Sequence, residues 1–231
     1  MTDFHKGLDL RFRYMRPNVF LTGIPSIWMS AVARKRVVDI LGASGILLAG
    51  APLLILIYAG LQAGGGRAIF RHERVGLNGR RFKVYKFRTM VPNAEDLLQE
   101  IIASDELRRL EWQADRKLKE DPRVTFIGRW LRKTSLDEIP QLFNVIKGDM
   151  SLVGPRPVTQ EELKIYGRSS RYYSSVKPGM TGLWQVSGRN DITYSRRVAM
   201  DRLYVSKSNG CFDVVLLMKT FSVLFMQKGA Y

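Results

Sequence analysis

From Ile40 to Leu61 the chain carries no ionisable side chain except Tyr58, and this apolar run limits every fold the chain can adopt. Its 22 residues, at ~1.5 Å each, are long enough to cross a hydrocarbon core of ~30 Å. The run is too long, and too far from the N-terminus, for an ordinary cleaved signal peptide. Its flanks are basic on both sides, with Arg34, Lys35 and Arg36 before it and Arg67, Arg71 and Arg74 after it. A simple spanning helix keeps its cationic excess on the cytoplasmic side alone. Pro52 falls near the middle and removes one helical hydrogen bond. The stretch from Ile40 to Pro52 rises only about 18 Å. A helix that enters the bilayer, breaks at Ala51-Pro52 and returns would leave both basic flanks in the cytoplasm. Re-entry is therefore the preferred reading, with a kinked spanning helix and a buried helix of a soluble domain left open.

Composition narrows the chemistry. Lys and Arg total 37 against 21 Asp and Glu, a net charge of +16 that calls for an anionic partner: nucleic acid, lipid head groups or a phosphorylated small molecule. Hydrophobic residues make up 45% of the 231, which excludes a disordered basic tail. Cys211 is the only cysteine, so an intramolecular disulfide, a thiolate metal cluster and a CxxC redox pair are excluded. His5 and His72 are the only histidines and lie far apart, which leaves little for a histidine zinc site or a Ser-His-Asp triad. Carboxylates, arginines and a hard metal ion remain as the means of catalysis.

The fold expected is mainly α with a short β-hairpin: a re-entrant membrane helix plus a compact domain with amphipathic interfacial helices. Residues 1–33 read as a basic, aromatic arm carrying Arg11, Phe12, Arg13, Tyr14, Arg16 and Trp28, suited to a head-group surface. Residues 34–62 hold the proline-broken helix, and 63–231 form the compact domain. Ala68-Ile69-Phe70 and Phe82 to Phe87 read as strands joined around Asn78-Gly79. Gly64-Gly65-Gly66 lacks the following Lys-Ser/Thr of a phosphate loop and reads as a turn. Residues 94–119 show an amphipathic helical pattern that Pro122 ends, and Val124 to Lys133 leads into a second helix near Leu136–Lys147. Phe212–Met226 suits either a core helix or one resting on a bilayer.

The most informative stretch is Thr134-Ser135-Leu136-Asp137-Glu138-Ile139-Pro140-Gln141. Taken alone, Ser135 and Glu138 have the spacing of a capping box at a helix start. The surroundings argue for more: Arg129, Arg132 and Lys133 precede the acids, and Lys147 and Arg156 follow. Adjacent carboxylates among arginines fit a site that holds phosphate oxygens while one carboxylate attacks or binds a metal. Residues 147–157 read as a loop in which Pro155 and Pro157 stiffen the backbone around Arg156.

Three segments together, "YKFRTM" (85–90), "LRKTSLDEIPQLFNVIKGDMSLVGPRPV" (131–158) and "KPGMTGLWQVSGRND" (177–191), resemble the bacterial sugar transferase family of monotopic polyprenyl-phosphate phosphoglycosyl transferases. "RKRVVDILGASG" and the proline-broken run match as well, so the resemblance covers roughly residues 34–231. It implies a catalytic domain at the cytoplasmic face of the bacterial inner membrane. The reaction implied moves a sugar-1-phosphate from a UDP-sugar to undecaprenyl phosphate, releases UMP, and passes through a covalent aspartyl intermediate. Asp137 matches the nucleophile and Glu138 its partner, with Mg²⁺ expected on Asp137 and Glu138. Arg132 and Arg156 are the first candidates for phosphate binding, followed by Lys86, Arg88 and Thr89. Gln185 and Arg189 are candidates for the nucleotide or the sugar. A serine often precedes the break proline in relatives where this chain has Ala51, so a hydrogen bond that helps the bend is in doubt. Larger relatives carry extra spanning helices and a further domain before this core, and the chain looks like a minimal form.

The similarity is greatest to enzymes that start exopolysaccharide chains with galactose- or glucose-1-phosphate, through "WQADRKLKEDPRVT" and "SGRND". An N-acetylated UDP-sugar is the rival donor. The expected partners are UDP-sugar, undecaprenyl phosphate and membrane lipids, with no nucleic acid and with a homodimer through helix pairing. A non-catalytic, membrane-tethered basic binding module is the rival of another class, but it gives no reason for paired acids beside arginines.

Overall fold

The structure is a computed structural model that describes residues 26–115, 118–188 and 192–226. The expected basic arm up to Pro25, Arg189 and the terminal Lys-Gly-Ala-Tyr lie outside the described residues. The chain divides into two units, Met1–Arg34 and Lys35–Tyr231. The described part of the first is the opening of a long helix, and the second contains everything that follows.

That helix, α1 (Ser26–Ala63), stays helical across Pro52. The expected break at Ala51-Pro52 falls inside this helix, where the proline leaves the Leu48 carbonyl without its usual donor. One helix among the described residues, Ala31–Ala63, is long and apolar enough to cross a membrane. Only 11% of its most apolar window is covered by protein, and Leu41, Leu48, Ile55 and Leu56 stand exposed. Its two ends, by contrast, are fastened to the rest of the second unit. Near the N-terminal end, Arg36 donates to the carbonyls of Val145 and Ile146, and Lys35 donates to Val153 and pairs with Asp213. Buried Asp39 accepts from the Ser151 hydroxyl and the Leu152 amide. Near the C-terminal end, Ile57 and Leu61 pack with Ala68, Phe87 and Leu131.

Strands β1 (Ile69–Val75) and β2 (Arg81–Phe87) form the expected hairpin, each longer than the sequence suggested, in antiparallel register from Ile69↔Phe87 to Val75↔Arg81. Asn78 takes the left-handed conformation that lets the connection close. Helices α2 (Ala94–Ser104) and α3 (Glu106–Asp115) divide the amphipathic stretch in two. The cause is Asp105, whose backbone is extended and whose carboxylate accepts from the Arg108 amide to start α3. Helix α4 (Phe126–Thr134) occupies what looked like a lead-in, with Thr125 as N-cap through the Gly128 amide. The helix expected near Leu136–Lys147 begins later, as α5 (Gln141–Lys147), after a 3₁₀ turn at Leu136–Glu138.

The stretch 147–157, expected as loop, contains β3 (Ser151–Val153), which pairs in parallel with β4 (Gly179–Thr181). Between them lie α6 (Gln160–Ile165) and α7 (Ser170–Tyr173), and the fold ends with α8 (Tyr194–Lys207) and α9 (Gly210–Met226). The largest core gathers Ala43 of α1, Val84, Leu142, Val145, Met150, Leu152, Tyr204 and Leu216. Helix α9 buries Leu216 in this core, as the core-helix reading requires, and leaves Val214, Met218 and Phe221 exposed. Buried Asn144 of α5 behaves like a neighbouring strand: its carboxamide accepts from the Tyr85 amide and donates to the Lys83 carbonyl. These two bonds fix α5 to β2.

Two consequences are measurable. A Cβ at Gly128 would lie 2.0 Å from the Thr89 carbonyl oxygen, so Gly128→Ala forces α4 from β2's end and should cost about 1–3 kcal/mol in a denaturant melt. Asp201, buried and accepting from the Tyr166 hydroxyl, is pushed up to about 7 by burial. Its folded value exceeds its unfolded one, so folding takes up a proton between about pH 4 and 7, and stability falls as pH rises through that window. In thermal melts, Asp201→Asn should therefore lose less Tm than wild type between pH 5 and pH 8.

Candidate active site

Thr134 ends α4, and Ser135 then takes a left-handed conformation with φ 58°. Such a backbone is disfavoured for a residue with a Cβ, and here it turns the chain directly into the 3₁₀ turn that carries Asp137 and Glu138. Ser135 makes no side-chain cap, so the capping-box reading of Ser135 and Glu138 is incorrect.

Glu138 pairs with Lys86 of β2 at 2.5 Å. Asp137 sits deeper. Burial raises its carboxyl and the neighbouring Glu138 charge raises it further, against the pull of Lys86 and Arg132, to about 6. Arg132 is itself drawn below the usual guanidinium range by burial, while Asp137 and Asp121 support its charge. Its Nε donates to the Thr89 hydroxyl at 3.0 Å, so Thr89 holds the arginine that faces the nucleophile candidate.

Four consecutive residues around the end of β2 divide their contacts. Lys86 reaches Glu138, Phe87 packs against Ile57 and Leu61, Arg88 donates to the carbonyls of Leu61 and Gly65, and Thr89 receives Arg132. Arg88 thus closes the C-terminal end of α1. A Cβ at Gly66 would strike its guanidinium, and Gly65 and Gly66 both take the positive φ that favours glycine.

Beside Glu138 lies a cavity lined by Arg74, Lys86, Gln141, Arg156, Met180 and Gln185, among others. Arg156 arrives there from the loop after β3 and Gln185 from the turn after β4. The Gln185 Nε2 donates to the Met180 carbonyl, and its buried Oε1 has no partner among the described residues. The site therefore brings together Asp137, Glu138, Lys86, Arg132, Arg156 and Gln185 of the expected residues. Thr89 and Arg88 stand behind or beside it, and Arg189 lies outside the described residues.

Arg74 and Gln141 also line the cavity and were missed in the sequence. Gln141 closes the "SLDEIPQ" motif and could have been found from it. Arg74 is one of several arginines in the hairpin, and only strand pairing distinguishes it. Among the described residues no group of three or more His, Cys, Asp and Glu gathers around one point. The two adjacent carboxylates are nonetheless a donor set that suits Mg²⁺, which takes one or two carboxylates and completes its shell with phosphate oxygens and water.

A family model described as bacterial sugar transferase matches residues 30–227. The undecaprenyl-phosphate galactose phosphotransferase of Salmonella typhimurium is 51% identical over 197 residues, 85% of this chain and 41% of that protein. The UDP-galactose-lipid carrier transferase of Erwinia amylovora is 50% identical over 85% of this chain and 41% of its own length. The chain thus spans about two fifths of these two relatives. The exopolysaccharide production protein ExoY of Rhizobium meliloti is 46% identical over 198 residues and is matched along 88% of its length. With the match extending from within α1 to α9, and with the Asp-Glu turn and its arginines inside it, the chain belongs to the bacterial sugar transferase family.

Proposed function

We propose that the chain transfers a hexose-1-phosphate from a UDP-sugar to undecaprenyl phosphate. The observation that carries this reading is a half-buried aspartate, Asp137, beside a second acid and near Lys86 and Arg132, with Arg156 in the cavity beside Glu138, in a chain of the bacterial sugar transferase family. The names of relatives support the substrates: an undecaprenyl-phosphate galactose phosphotransferase, a galactosyl transferase of Streptococcus agalactiae and an undecaprenyl-phosphate glucose phosphotransferase of Komagataeibacter xylinus. Galactose or glucose is accordingly the hexose of choice.

In the first step an Asp137 carboxylate oxygen attacks the sugar-proximal phosphorus. The new P–O bond forms as the bond to the bridging oxygen breaks, and UMP departs with that electron pair. In the second step a phosphate oxygen of undecaprenyl phosphate attacks the same phosphorus, and the Asp137 carboxylate is released. A carboxylate attacks a phosphoryl group well only where the oxygens' charge is neutralised, which Lys86, Arg132 and Arg156 would do. Asp137 and Glu138 would hold Mg²⁺, which when bound supplies further neutralisation of the diphosphate.

The fastening of α1 supports re-entry at the cytoplasmic face of the inner membrane. A spanning helix puts its ends on opposite sides of a ~30 Å core. Here Arg36 and Leu61 both contact one folded unit, while Leu48 and Ile55 between them stand exposed. In a Cys211→Ser background, Arg34→Cys and Arg67→Cys should both react with an impermeant maleimide from the cytoplasmic side of inverted vesicles. Labelling from opposite sides would overturn re-entry.

The reaction is tested by UMP release from UDP-galactose or UDP-glucose with Mg²⁺ and undecaprenyl phosphate. Release that needs lipid and metal supports the proposal, and silence from a full UDP-sugar panel with folded protein overturns it. Asp137→Asn should lower turnover by ~10³-fold or more. Because ionised Asp137 is destabilising where it lies, that variant should melt at the same temperature as wild type, or higher, at pH 8. Only the ionised carboxylate attacks, so wild-type turnover should fall about tenfold per pH unit below about 6 when Mg²⁺ is limiting. Saturating Mg²⁺ favours the ionised form and should move this limb to lower pH.

A further inference from the structure

Arg74 is the cavity residue that the reaction above leaves without a task. It sits one residue before the end of β1, where the Val75 amide donates to the Val158 carbonyl at 2.9 Å. The return half of this bridge is supplied by a side chain. The buried Tyr173 hydroxyl donates to the Val75 carbonyl and accepts from the Val158 amide. This junction clamps β1 to the segment Arg156-Pro157-Val158, and so sets Arg74 and Arg156 on one cavity wall. Glu162 of α6 then fixes the Arg74 guanidinium. Its carboxylate accepts from the Thr159 amide at 2.7 Å, as half of a capping box, and pairs with Arg74 at 3.4 Å.

Two guanidiniums on one partly desolvated wall repel each other. Burial lowers the basicity of Arg74, and the Arg156 charge adds to that effect against Glu162. Lys86 cannot relieve them, being a third cation and already paired with Glu138. An anion that enters the cavity is attracted by both guanidiniums, and two arginine forks match phosphate oxygens. The wall stands beside the acids: the cations Asp137 feels most are Lys86 and Arg132, and of these Lys86 also lines the cavity beside Glu138 that Arg74 and Arg156 share. In an in-line displacement, the group that departs is on the side away from the attacking oxygen.

We propose that Arg74, together with Arg156, binds the phosphate of the departing UMP, and that Glu162 is the positioning residue that aims Arg74. The proposal rests on the transfer reaction proposed above. As the bridging bond breaks, its electron pair stays on UMP and the charge on that phosphate rises, so the two guanidiniums stabilise the leaving group as it forms. They take no part in binding the lipid acceptor.

The test uses the full chain in nanodiscs, with UMP binding followed by titration calorimetry and KM measured for UDP-sugar and undecaprenyl phosphate separately. Arg74→Gln should weaken UMP binding about tenfold or more and lower kcat/KM for the UDP-sugar, with KM for the lipid within about twofold of wild type. Arg74→Lys, which keeps the charge and loses the fork, should recover part of the UMP affinity. Glu162→Gln should give a smaller loss, roughly three- to tenfold, in the same donor-side quantities. UMP affinity unchanged in Arg74→Gln, or an equal rise in both KM values, would overturn the clamp and leave the transfer reaction standing. A loss of UMP affinity in Arg74→Gln alone, with Arg74→Lys folded and no better, would also overturn it, because a packing role would then suffice. Wild-type protein that neither releases nor binds UMP would overturn the reaction and the clamp with it.

Discussion

The candidate site is arranged around two adjacent, half-buried carboxylates. Burial raises the cost of ionising Asp137, and the neighbouring Glu138 charge raises it again. Cations must therefore converge on the turn from outside it, and the fold is arranged to deliver them. The hairpin brings Lys86, α4 brings Arg132, and the loop after β3 brings Arg156. The supports of those residues are as informative as the residues themselves: Thr89 orients Arg132, and Asn144 locks α5 to the strand bearing Lys86. The net basic charge of the chain, which at first reads as a partner-binding surface, is in part concentrated around two acids.

The hairpin, the apolar helix and the Asp-Glu turn with its arginines were legible in the sequence because each has a local signature. Elsewhere local signatures misled. Ser135 to Glu138 has capping-box spacing and forms no cap, whereas Thr159 to Glu162 has the same spacing and forms a complete one. The difference is tertiary: Ser135 must turn left-handed to leave α4, which removes its side chain from the following amides. The strands β3 and β4 were invisible because three residues show no alternation, and their parallel pairing joins segments far apart in sequence. The division of α2 from α3 depended on one aspartate acting as a stop for one helix and a start for the next.

Site residues follow the same rule. Asp137, Glu138, Arg132 and Arg156 stood out through clustering along the chain, and the structure gathers all four. Arg88 and Thr89 share a motif with Lys86, yet one closes the end of α1 and the other serves Arg132. Arg74 carries no local mark, since Arg71, Arg80 and Arg81 in the same hairpin look equivalent. Its distinction comes from Val158 and Tyr173, neither of which is near it in sequence.

Of the four residues from Lys86 to Thr89, the outer two serve the acids' surroundings and the inner two the end of the apolar helix. Neighbouring residues of one strand cannot move independently by more than a fraction of their ~3.3 Å spacing. The end of the apolar helix and the surroundings of the acids therefore share one stretch of backbone, with Phe87 packed at the helix end between Lys86 and Arg88 in the chain. A displacement of that helix end is carried along this stretch toward Lys86 and Thr89, so the seating of the helix bears on the geometry of the acids.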